Sequence, residues 1–406
     1  MNVSIFTPTN DSSFLMELYD SIKDQDFHEW IIVYNNGGVP VQFDDARVKT
    51  HILFKSPEFV GAVKAYACDK AIGDILLEVD HDDLLMPDAV SEVKHAFEDD
   101  EIGFVYSNSL RATRDLKPVQ RFDEAYGWRY RTVVYKGNEL DECVAFDPSP
   151  ASVSRIWFAP DHLRAFRKSV YDKIGGYAKD MRVLDDQDLM SRMYTETKFK
   201  HIDKALYVYR IHEENTWLKN NKEIQDNVYR LYDKYIEGLV LKWCDDNKLR
   251  ALDLGGGMRG RGGFEHVDML GDNDKIIKCN LNSKWPFEDN SVGLIRAADV
   301  FEHLKDPIHA MKEAYRVLVP GGYIFVQVPS TDGRGAFQDP THVSFWNENS
   351  FYYYTQREYA KFIRTPVRFQ TTRLFTSEKD KNQVCWTTAH MVSLKDGYRP
   401  PGKVDI

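Results

Sequence analysis

Short apolar runs alternate with helical patterns from the first residues of this chain, and this rhythm is the feature that most restricts its fold. Residues 3–6, 30–34 and 75–79 are strand-like, whereas residues 14–22 and 62–71 carry apolar side chains at helical spacing. Strands separated by helices form parallel sheets, because the chain has to cross back over one face between them. The sequence therefore predicts an α/β protein with a parallel sheet.

A second unit of the same kind begins near residue 250, where the apolar run 251–254 leads into three consecutive glycines. A helical pattern that includes Ile224, Val228 and Leu239 precedes it and ends in the polar stretch 245–248. Since 406 residues exceed one ordinary domain, we predict domains at 1–220 and 249–406 with a helical linker at 221–248. The final runs, 367–375 and 383–394, flank a charged turn and predict an antiparallel hairpin.

Composition narrows the functional classes. The net charge is −10 with scattered lysines and arginines, which disfavours a protein that coats nucleic acid. No stretch approaches the ~20 apolar residues of a membrane helix, and the first residues lack the basic flank of a signal peptide. The cysteines are odd in number, lack C-x-x-C pairing and argue against a zinc site: Cys68, Cys143, Cys244, Cys279 and Cys385. We expect a cytoplasmic protein without a membrane span, and its oligomeric state stays open.

A cluster of carboxylates, Asp80, Asp82 and Asp83, directly follows the strand-like run 75–79. Side chains at the carboxyl end of a central parallel strand face the ligand crevice of the sheet. Hard oxygen ligands suit Mn²⁺ or Mg²⁺, and such an ion neutralises charge on a departing pyrophosphate. A solvated acidic turn has the same composition, so a metal site is one of two interpretations.

Further motifs occur in a fixed order along the first 217 residues. They are Thr-Pro-Thr-Asn at 7–10, the strand at 29–33, the helix at 64–73, Gly-Gly-Tyr at 175–177, Leu-Asp-Asp-Gln-Asp-Leu at 184–189 and Tyr-Arg-Ile-His at 209–212. Together with the carboxylates, they resemble the family 2 glycosyltransferases of the GT-A fold. The resemblance implies metal-dependent, inverting transfer of a sugar from a nucleoside diphosphate sugar to an acceptor.

The resemblance also implies roles for individual residues. Asp82 binds the metal ion, Asp80 helps to hold both the metal and the ribose, and His212 completes the metal shell. Asp186 is the catalytic base that takes the acceptor's proton, a task favoured where desolvation raises the pKa. Contacts with the nucleotide sugar are implied at Thr7, Pro8, Asn35, Lys64, Asp80 and Arg210. The structural alternatives are a buried histidine at 212 and an acidic helix start at 185–188.

Two positions depart from the family pattern. Asn35 and Asn36 stand where the family usually carries an Asp-Asp or Asp-Asn pair after the second strand. Because an amide both donates and accepts hydrogen bonds, the preferred nucleobase stays open. Lys64 stands where the family often has arginine, and either cation suits a diphosphate.

In the second half, Gly255, Gly256 and Gly257 directly follow a strand, where absent Cβ atoms let a cofactor approach the backbone. A dinucleotide site needs an acidic residue about 20 positions further on, but Asp268 follows Gly257 by eleven. Downstream motifs are Trp-Pro-Phe-Glu-Asp-Asn-Ser at 285–291, Asp-Val-Phe-Glu-His-Leu at 299–304, Arg-Val-Leu-Val-Pro-Gly-Gly at 316–322 and Asp-Pro-Thr-His at 339–342. Residues 252 to about 354 resemble class I S-adenosylmethionine-dependent methyltransferases, which have a Rossmann-like fold.

This second resemblance implies a cofactor site that includes Asp299 of the 299–304 motif. Asp268 takes the ribose hydroxyls, and Asn280 and Leu281 flank the adenine. The methionine and ribose part is lined by Asp253, Gly255, Gly256 and Gly257. His303 and His342 are the candidate bases for methyl transfer to a hydroxyl; the alternatives are that Glu302 and His303 stabilise a helix start and that His342 contacts the substrate.

The combined prediction is a bifunctional enzyme of polysaccharide biosynthesis that adds a sugar to a glycan or glycoconjugate and O-methylates a sugar hydroxyl. The aromatic residues at 345–346 and 351–354, and those at 126, 128 and 130, either stack on sugars or fill the core. Two alternative functions are glycosylation and methylation of modified DNA bases, and glycan binding without catalysis.

Overall fold

The computed structural model describes residues 1–53, 59–213, 215–257, 260–270 and 275–404. The chain forms two compact units, the first with Met1–Glu124 and Trp128–Leu239, the second with Ala125–Gly127 and Val240–Ile406. Each unit has its own sheet with helices, so the predicted α/β class with two domains is confirmed.

The first unit is built on a ten-stranded sheet. Its strands are β1 (Val3–Thr9), β2 (Glu29–Tyr34), β3 (Val48–Ile52), β4 (Ile75–Glu78), β5 (Leu84–Leu85), β6 (Ile102–Thr113), β7 (Arg129–Tyr135), β8 (Asn138–Val144), β9 (Arg164–Arg167) and β10 (Lys198–Ile211). The order is β3-β2-β1-β4-β9-β6-β10-β5, and β8 pairs with β6 and β7. Strands β3, β2, β1 and β4 are parallel, and β9 is antiparallel to both neighbours.

Helices cover this sheet and position its edge. They are α1 (Leu15–Ile22), α2 (Val60–Lys70), α3 (Ala89–Ala96), α4 (Pro150–Val153), α5 (Lys168–Lys173), α6 (Asp185–Tyr194), α7 (Thr216–Lys219) and α8 (Asn221–Asp246). The predicted linker of 221–248 lies almost wholly in α8, and the division between the two units falls inside this helix. Val228 and Leu231 of α8 pack with Val183 and Leu184, which precede α6.

The parallel part of the sheet brings three chain segments to one edge. Strands β1, β2 and β4 are adjacent and parallel, so their carboxyl ends point the same way. Thr7 to Thr9, Asn35 and the carboxylates from Asp80 onward follow or end these strands. Ligands of open α/β sheets bind outside these strand ends.

The second unit has a seven-stranded sheet. Its strands are β11 (Arg250–Leu254), β12 (Glu265–Asp268), β13 (Ile276–Lys278), β14 (Val292–Ala298), β15 (Leu318–Pro329), β16 (Phe369–Thr376) and β17 (Trp386–Ser393), and its helices are α9 (Pro307–Val317), α10 (Gly335–Gln338), α11 (Glu348–Thr355) and α12 (Arg357–Ile363). The order β13-β12-β11-β14-β15-β17-β16 is that of a doubly wound sheet that switches direction between β11 and β14. The predicted hairpin is confirmed, since β16 and β17 are antiparallel.

The aromatic segments of the second unit divide between core and surface. Trp346, Phe351 and Tyr354 are buried in its main apolar cluster. Phe345 remains 51% exposed and stacks on Phe337, which is 62% exposed, with ring centroids 5.2 Å apart. Core packing therefore accounts for the three buried rings. It does not account for the exposed pair, Phe345 and Phe337.

Two other expectations bear on the environment of the chain. All five cysteines are buried and free. None of the helices in the described part of the chain combines the length and the apolar character needed to cross a membrane.

His390, a partly buried histidine of β17, predicts a pH dependence of stability. The His390 ring packs against Phe325 at 4.2 Å between centroids, and burial, helped by Arg373, lowers the pKa of His390 to about 3. Below about pH 6.5, His390 binds a proton in the unfolded chain but stays neutral in the folded chain. The stability of the folded state therefore falls as the pH falls. Between pH 7 and pH 5 we expect the unfolding free energy to drop by up to about 2 kcal/mol through this residue.

Urea denaturation of the wild type and of His390→Gln at both pH values measures this contribution, because the variant carries every other titrating group. The variant should lose less stability than the wild type on acidification. An equal loss in both proteins would show that His390 does not resist protonation.

Candidate functional site

The predicted metal ligands of the first unit come together. Nε2 of His212 lies 2.8 Å from Oδ2 of Asp82, although 130 residues separate them. The carboxylates of Asp80, Asp82 and Asp83 each offer an oxygen within 4.8 Å of one another. Oxygen ligands with one imidazole fit a divalent ion such as Mn²⁺. Asp82 and His212 are both only partly buried, so a substrate has access to this pair.

Asp80 has a partner that sequence reasoning missed. Nε2 of the buried His162 lies 3.2 Å from Oδ2 of Asp80. Burial alone would raise the pKa of Asp80, but His162, together with Lys64 and Arg164, outweighs burial and lowers that pKa. Asp80 therefore stays ionised, as a ligand of a metal ion must.

Asp83 and Arg210 hold the acidic loop in place. Oδ1 of Asp83 accepts a hydrogen bond from the Arg210 amide at 2.7 Å, and Nε of Arg210 donates to the Asp82 carbonyl. The guanidinium of Arg210 is fully buried and pairs with Glu17 at 2.6 Å. Burial, reinforced by Asp82 and Asp80, raises the pKa of Asp83 well above its usual range. The Arg210 side chain thus supports the loop, and its contact with the nucleotide sugar stays a prediction.

Lys64 belongs to a buried cluster of charged side chains next to the carboxyl end of β4. Nζ of Lys64 lies 2.8 Å from Glu78 and 3.0 Å from Asp185, and all three side chains are less than a tenth exposed. Despite burial, the two carboxylates raise the pKa of Lys64. The ammonium of Lys64 is therefore neutralised by carboxylates within the core, and its contact with a diphosphate stays a prediction.

The candidate base Asp186 pairs with Arg164 of the same cluster. Nη1 of Arg164 lies 2.9 Å from Oδ2 of Asp186, and its Nε lies 3.1 Å from Glu78. Burial favours the neutral acid, yet Arg164 and Lys64 lower the pKa of Asp186. Of the two neighbouring carboxyls, it is Asp185 whose pKa burial raises, to about 6. Asp186 keeps 23% of its side chain exposed and is the accessible carboxylate of the two.

The nucleotide side of the edge contains an unsatisfied acceptor. Oδ1 of Asn35 is buried and has no hydrogen-bond partner among the described residues, which is rare in folded proteins. A nucleobase N–H is a suitable donor for it. Thr7 is fully buried, and its hydroxyl accepts a hydrogen bond from the indole N–H of Trp30 at 2.9 Å, so Thr7 stabilises the strand. Its neighbour Pro8 is partly exposed and is the more accessible of the two to a ligand.

In the second unit, the predicted glycine turn and Asp268 are neighbours. A Cβ atom on Gly257 would stand 3.5 Å from Oδ2 of Asp268, and one on Gly256 would stand 2.7 Å from Oδ2 of Asp253. Gly257 also has a φ of +47°, where side chains are disfavoured. The turn therefore leaves free space beside the Asp268 carboxylate, and this fits a cofactor that carries ribose hydroxyls.

The other predicted cofactor residues differ in how they are held. The buried Asp253 carboxylate pairs with Arg296 at 2.8 Å, so it stabilises the turn. Asp299 is exposed and accepts from the indole N–H of Trp386 at 3.1 Å. Asn280 is exposed and accepts from the Asn282 amide at 3.0 Å, whereas Leu281 is buried. Their contacts with a cofactor stay predictions.

The two candidate bases of the second unit meet, and a third group joins them. The rings of His303 and His342 lie 4.9 Å apart, and Glu302 offers a carboxylate oxygen within 4.8 Å of a nitrogen of each. Glu302 is 2% exposed, and its burial raises its pKa to about 7. Sequence reasoning considered Glu302 only as part of a helix start; a glutamate that precedes histidine after a buried strand was the available signal.

Comparison with known proteins bears first on the second unit. Residues 238–326 match a family model described as a methyltransferase domain. The second unit carries a methyltransferase domain. An uncharacterized methyltransferase of Schizosaccharomyces pombe is 38% identical over 55 residues, which are 13% of this chain and 20% of that protein. The chain thus spans about a fifth of the length of that curated relative.

Solved structures of glycosyltransferases are similar over about 60% of the chain. Residues 1–349 of TarS from S. aureus, in complex with UDP-GlcNAc, are 14% identical with a TM-score of 0.42 and cover 60% of this chain and 73% of that one. The mannosyltransferase PcManGT from Pyrobaculum calidifontis, with GDP-Man and Mn²⁺, is 13% identical with a TM-score of 0.36, covering 61% and 75%. At this level of similarity, the function of the first unit has to be inferred from its own side chains.

Proposed function

We propose that this chain is a bifunctional transferase. The first unit transfers a sugar from a nucleoside diphosphate sugar to a glycan or glycoconjugate, and the second O-methylates a sugar hydroxyl with S-adenosylmethionine. The observation that carries the proposal is the convergence, in each unit, of a predicted ligand set at the carboxyl ends of parallel strands. In the first unit this set includes the Asp82–His212 pair, and in the second it includes Asp268 beside the glycine turn.

For sugar transfer, Asp82, Asp80 and His212 would hold a divalent ion, which when bound neutralises charge on the departing diphosphate. Asn35 accepts a hydrogen bond from the nucleobase through its unsatisfied oxygen. Asp186, ionised because Arg164 lowers its pKa, accepts the proton of the attacking acceptor hydroxyl. The new glycosidic bond forms on the face of the sugar opposite to the bond that breaks, so the configuration inverts.

For methyl transfer, the glycine turn and Asp268 would hold S-adenosylmethionine, whose sulfonium supplies the methyl group. The chain's own task is to align the acceptor hydroxyl with the methyl carbon and to receive its proton. His303, His342 and Glu302 lie together on this side of the sheet as polar groups for that task. The exposed Phe337–Phe345 pair offers an apolar surface beside them of the kind that marks a ligand site.

Product analysis of the purified whole chain tests this function. The protein is incubated with Mn²⁺, S-adenosylmethionine carrying a labelled methyl group, a panel of glycan acceptors, and uridine, guanosine or thymidine diphosphate sugars. We expect release of one nucleoside diphosphate together with products that have gained a sugar and a labelled methyl ether. Failure to release any nucleotide or to transfer methyl, with every donor and acceptor, would refute the proposal.

A further inference from the structure

We propose that Glu302, His303 and His342 of the second unit form a binding site for a transition-metal dication. The three side chains each offer a ligand atom, and these atoms lie within 4.8 Å of one another. Glu302 and His303 end the short 3₁₀ helix Phe301–His303 after β14, while His342 comes from the segment that follows α10. The site is separate from the carboxylates of the first unit, which belong to a different sheet.

Glu302 is the observation that calls for a ligand. The side chain is 2% exposed, yet neither carboxylate oxygen has a hydrogen-bond partner on another described residue. A buried carboxylate without a partner is costly, and folded proteins normally pair such groups or use them to coordinate metals. The two histidine rings each bring a nitrogen within 4.8 Å of its carboxylate, and the nearby carboxylates of Asp299 and Asp339 add negative charge around it.

Both histidines are oriented as metal ligands usually are. Nδ1 of His342 lies 2.9 Å from the Ala336 carbonyl, and Nδ1 of His303 lies 3.2 Å from the Thr341 carbonyl. The Thr341 hydroxyl, 3.1 Å from Nδ1 of His303, donates to Asp339 and so accepts from the ring. Since a carbonyl only accepts, these contacts favour the tautomer with the proton on Nδ1, in which Nε2 of the neutral ring keeps a lone pair. A ligating histidine typically donates its second N–H to a carbonyl or carboxylate in this way.

Backbone hydrogen bonds fix the two segments against each other. The Glu302 carbonyl accepts from the amides of Val343 and Ser344 at 2.8 and 3.0 Å, and the Ser344 hydroxyl donates to the Phe301 carbonyl at 2.8 Å. His342 is thereby held beside Glu302 before any ligand arrives. Such preorganisation lowers the entropic cost of binding.

The two imidazoles and one carboxylate indicate which ion the site binds and what the bound ion can do. Two imidazoles suit zinc, iron, cobalt or nickel better than magnesium, and two histidines with one glutamate leave open coordination positions, as catalytic zinc sites do. If the proposed methyl transfer holds, these open positions take hydroxyl oxygens of the sugar acceptor. The exposed Phe337–Phe345 pair borders the same segment and suits the apolar face of a sugar ring.

The test counts bound metal in the whole chain with the Asp82 site removed. Protein carrying Asp82→Ala is titrated with Zn²⁺ by calorimetry, and with Co²⁺ by its visible absorption, which reports histidine ligation. Glu302→Gln, nearly identical in shape, and His303→Asn, at an exposed position, are each added to this background. His309→Gln serves as the matched control because His309 lies in the same unit, with Nε2 on the Ser283 carbonyl at 3.0 Å. S-adenosylmethionine binding is measured on each protein.

We expect one Zn²⁺ to bind to Asp82→Ala and to the His309→Gln control, and to bind at least ~10-fold more weakly to the Glu302 and His303 variants. Absence of Zn²⁺ and Co²⁺ binding in Asp82→Ala, or unchanged affinity in Glu302→Gln, would overturn the metal site. If S-adenosylmethionine still binds in that case, methyl transfer survives and only the metal site fails. If metal binds but S-adenosylmethionine does not, the metal site stands and the proposed methyl transfer fails.

Discussion

With Asp186→Asn, the rate of sugar transfer is expected to fall by about 10³-fold, within the range that a positioned general base contributes. The amide cannot accept the hydroxyl proton, whereas it preserves the size of the side chain and its contact with Arg164. Binding of the nucleoside diphosphate sugar should therefore stay close to that of the wild type. Methyl transfer by the second unit should not change. Steady-state kinetics of both reactions on the same preparation measure the effect.

Asp188→Asn is the matched control on the same helix. Asp188 pairs with Arg192 at 2.7 Å and accepts from Tyr235, so its carboxylate faces the interior packing of α6 and α8. After correction for the folded fraction, its transfer rate should stay within a few-fold of the wild type. Equal rates for Asp186→Asn and the wild type would exclude Asp186 as the base.

Glu78→Gln is expected to lower the unfolding free energy of the first unit by about 3 to 5 kcal/mol. The carboxylate is 1% exposed and contacts Lys64 at 2.8 Å and Arg164 at 3.1 Å, so its neutralisation breaks two buried ion pairs and leaves each cation with a single carboxylate partner, Asp185 or Asp186. Although burial opposes its charge, these two cations lower the pKa of Glu78. Urea denaturation of the wild type and variant at pH 7 measures the loss.

Two further variants separate the charge effect from general damage. Lys64→Met, alone and added to Glu78→Gln, also deprives Asp185 of its ammonium partner, so the coupling of Glu78 to Lys64 is the part of the combined loss by which the double-mutant cycle departs from additivity. Glu101→Gln removes an exposed ion pair with Lys198, in which the side chains are 70% and 51% exposed, and should cost less than about 1 kcal/mol. A Glu78→Gln loss no larger than that of Glu101→Gln would contradict the buried cluster.

Sequence reasoning succeeded where the relevant pattern is local. The run 75–79 followed by carboxylates predicted a strand end, and the glycines after 251–254 predicted a turn; both follow from spacing within a few residues. The order of the motifs then placed Asp82 and His212 in one site, and the structure brings them within 2.8 Å. The hairpin of β16 and β17 follows from strand-like runs around one charged turn.

The side-chain partners could not be predicted, because they depend on contacts between distant segments. His162 and Arg164 reach Asp80 and Asp186 through β9, which pairs with β4 in antiparallel orientation. No local pattern specifies that pairing. A charged residue inside the apolar run 75–79 was a visible signal, since a glutamate in a buried strand needs a cation, and Glu78 has two.

In the second unit, too, local patterns were predictable from the sequence, whereas contacts between distant segments were not. Gly257 and Asp268 are neighbours, in keeping with the shared site that the resemblance to methyltransferases implied, whereas Glu302 acquires its surroundings from a segment about 40 residues later. Whether an aromatic ring was core or surface also depended on the fold: Trp346 is buried and its neighbour Phe345 is exposed. A one-residue step changes the side of the chain that faces the core, and composition alone does not specify it.

The central claim is that two independent ligand sites exist on one chain, and calorimetric titration of the whole protein tests it most directly. S-adenosylmethionine and a panel of nucleoside diphosphates, with and without Mn²⁺, are titrated into the wild type, Asp82→Ala and Asp268→Ala. We predict that Asp82→Ala abolishes only Mn²⁺-dependent nucleotide binding and that Asp268→Ala abolishes only S-adenosylmethionine binding. Absence of either ligand class from the wild type, or loss of both ligands in one variant, would contradict the claim.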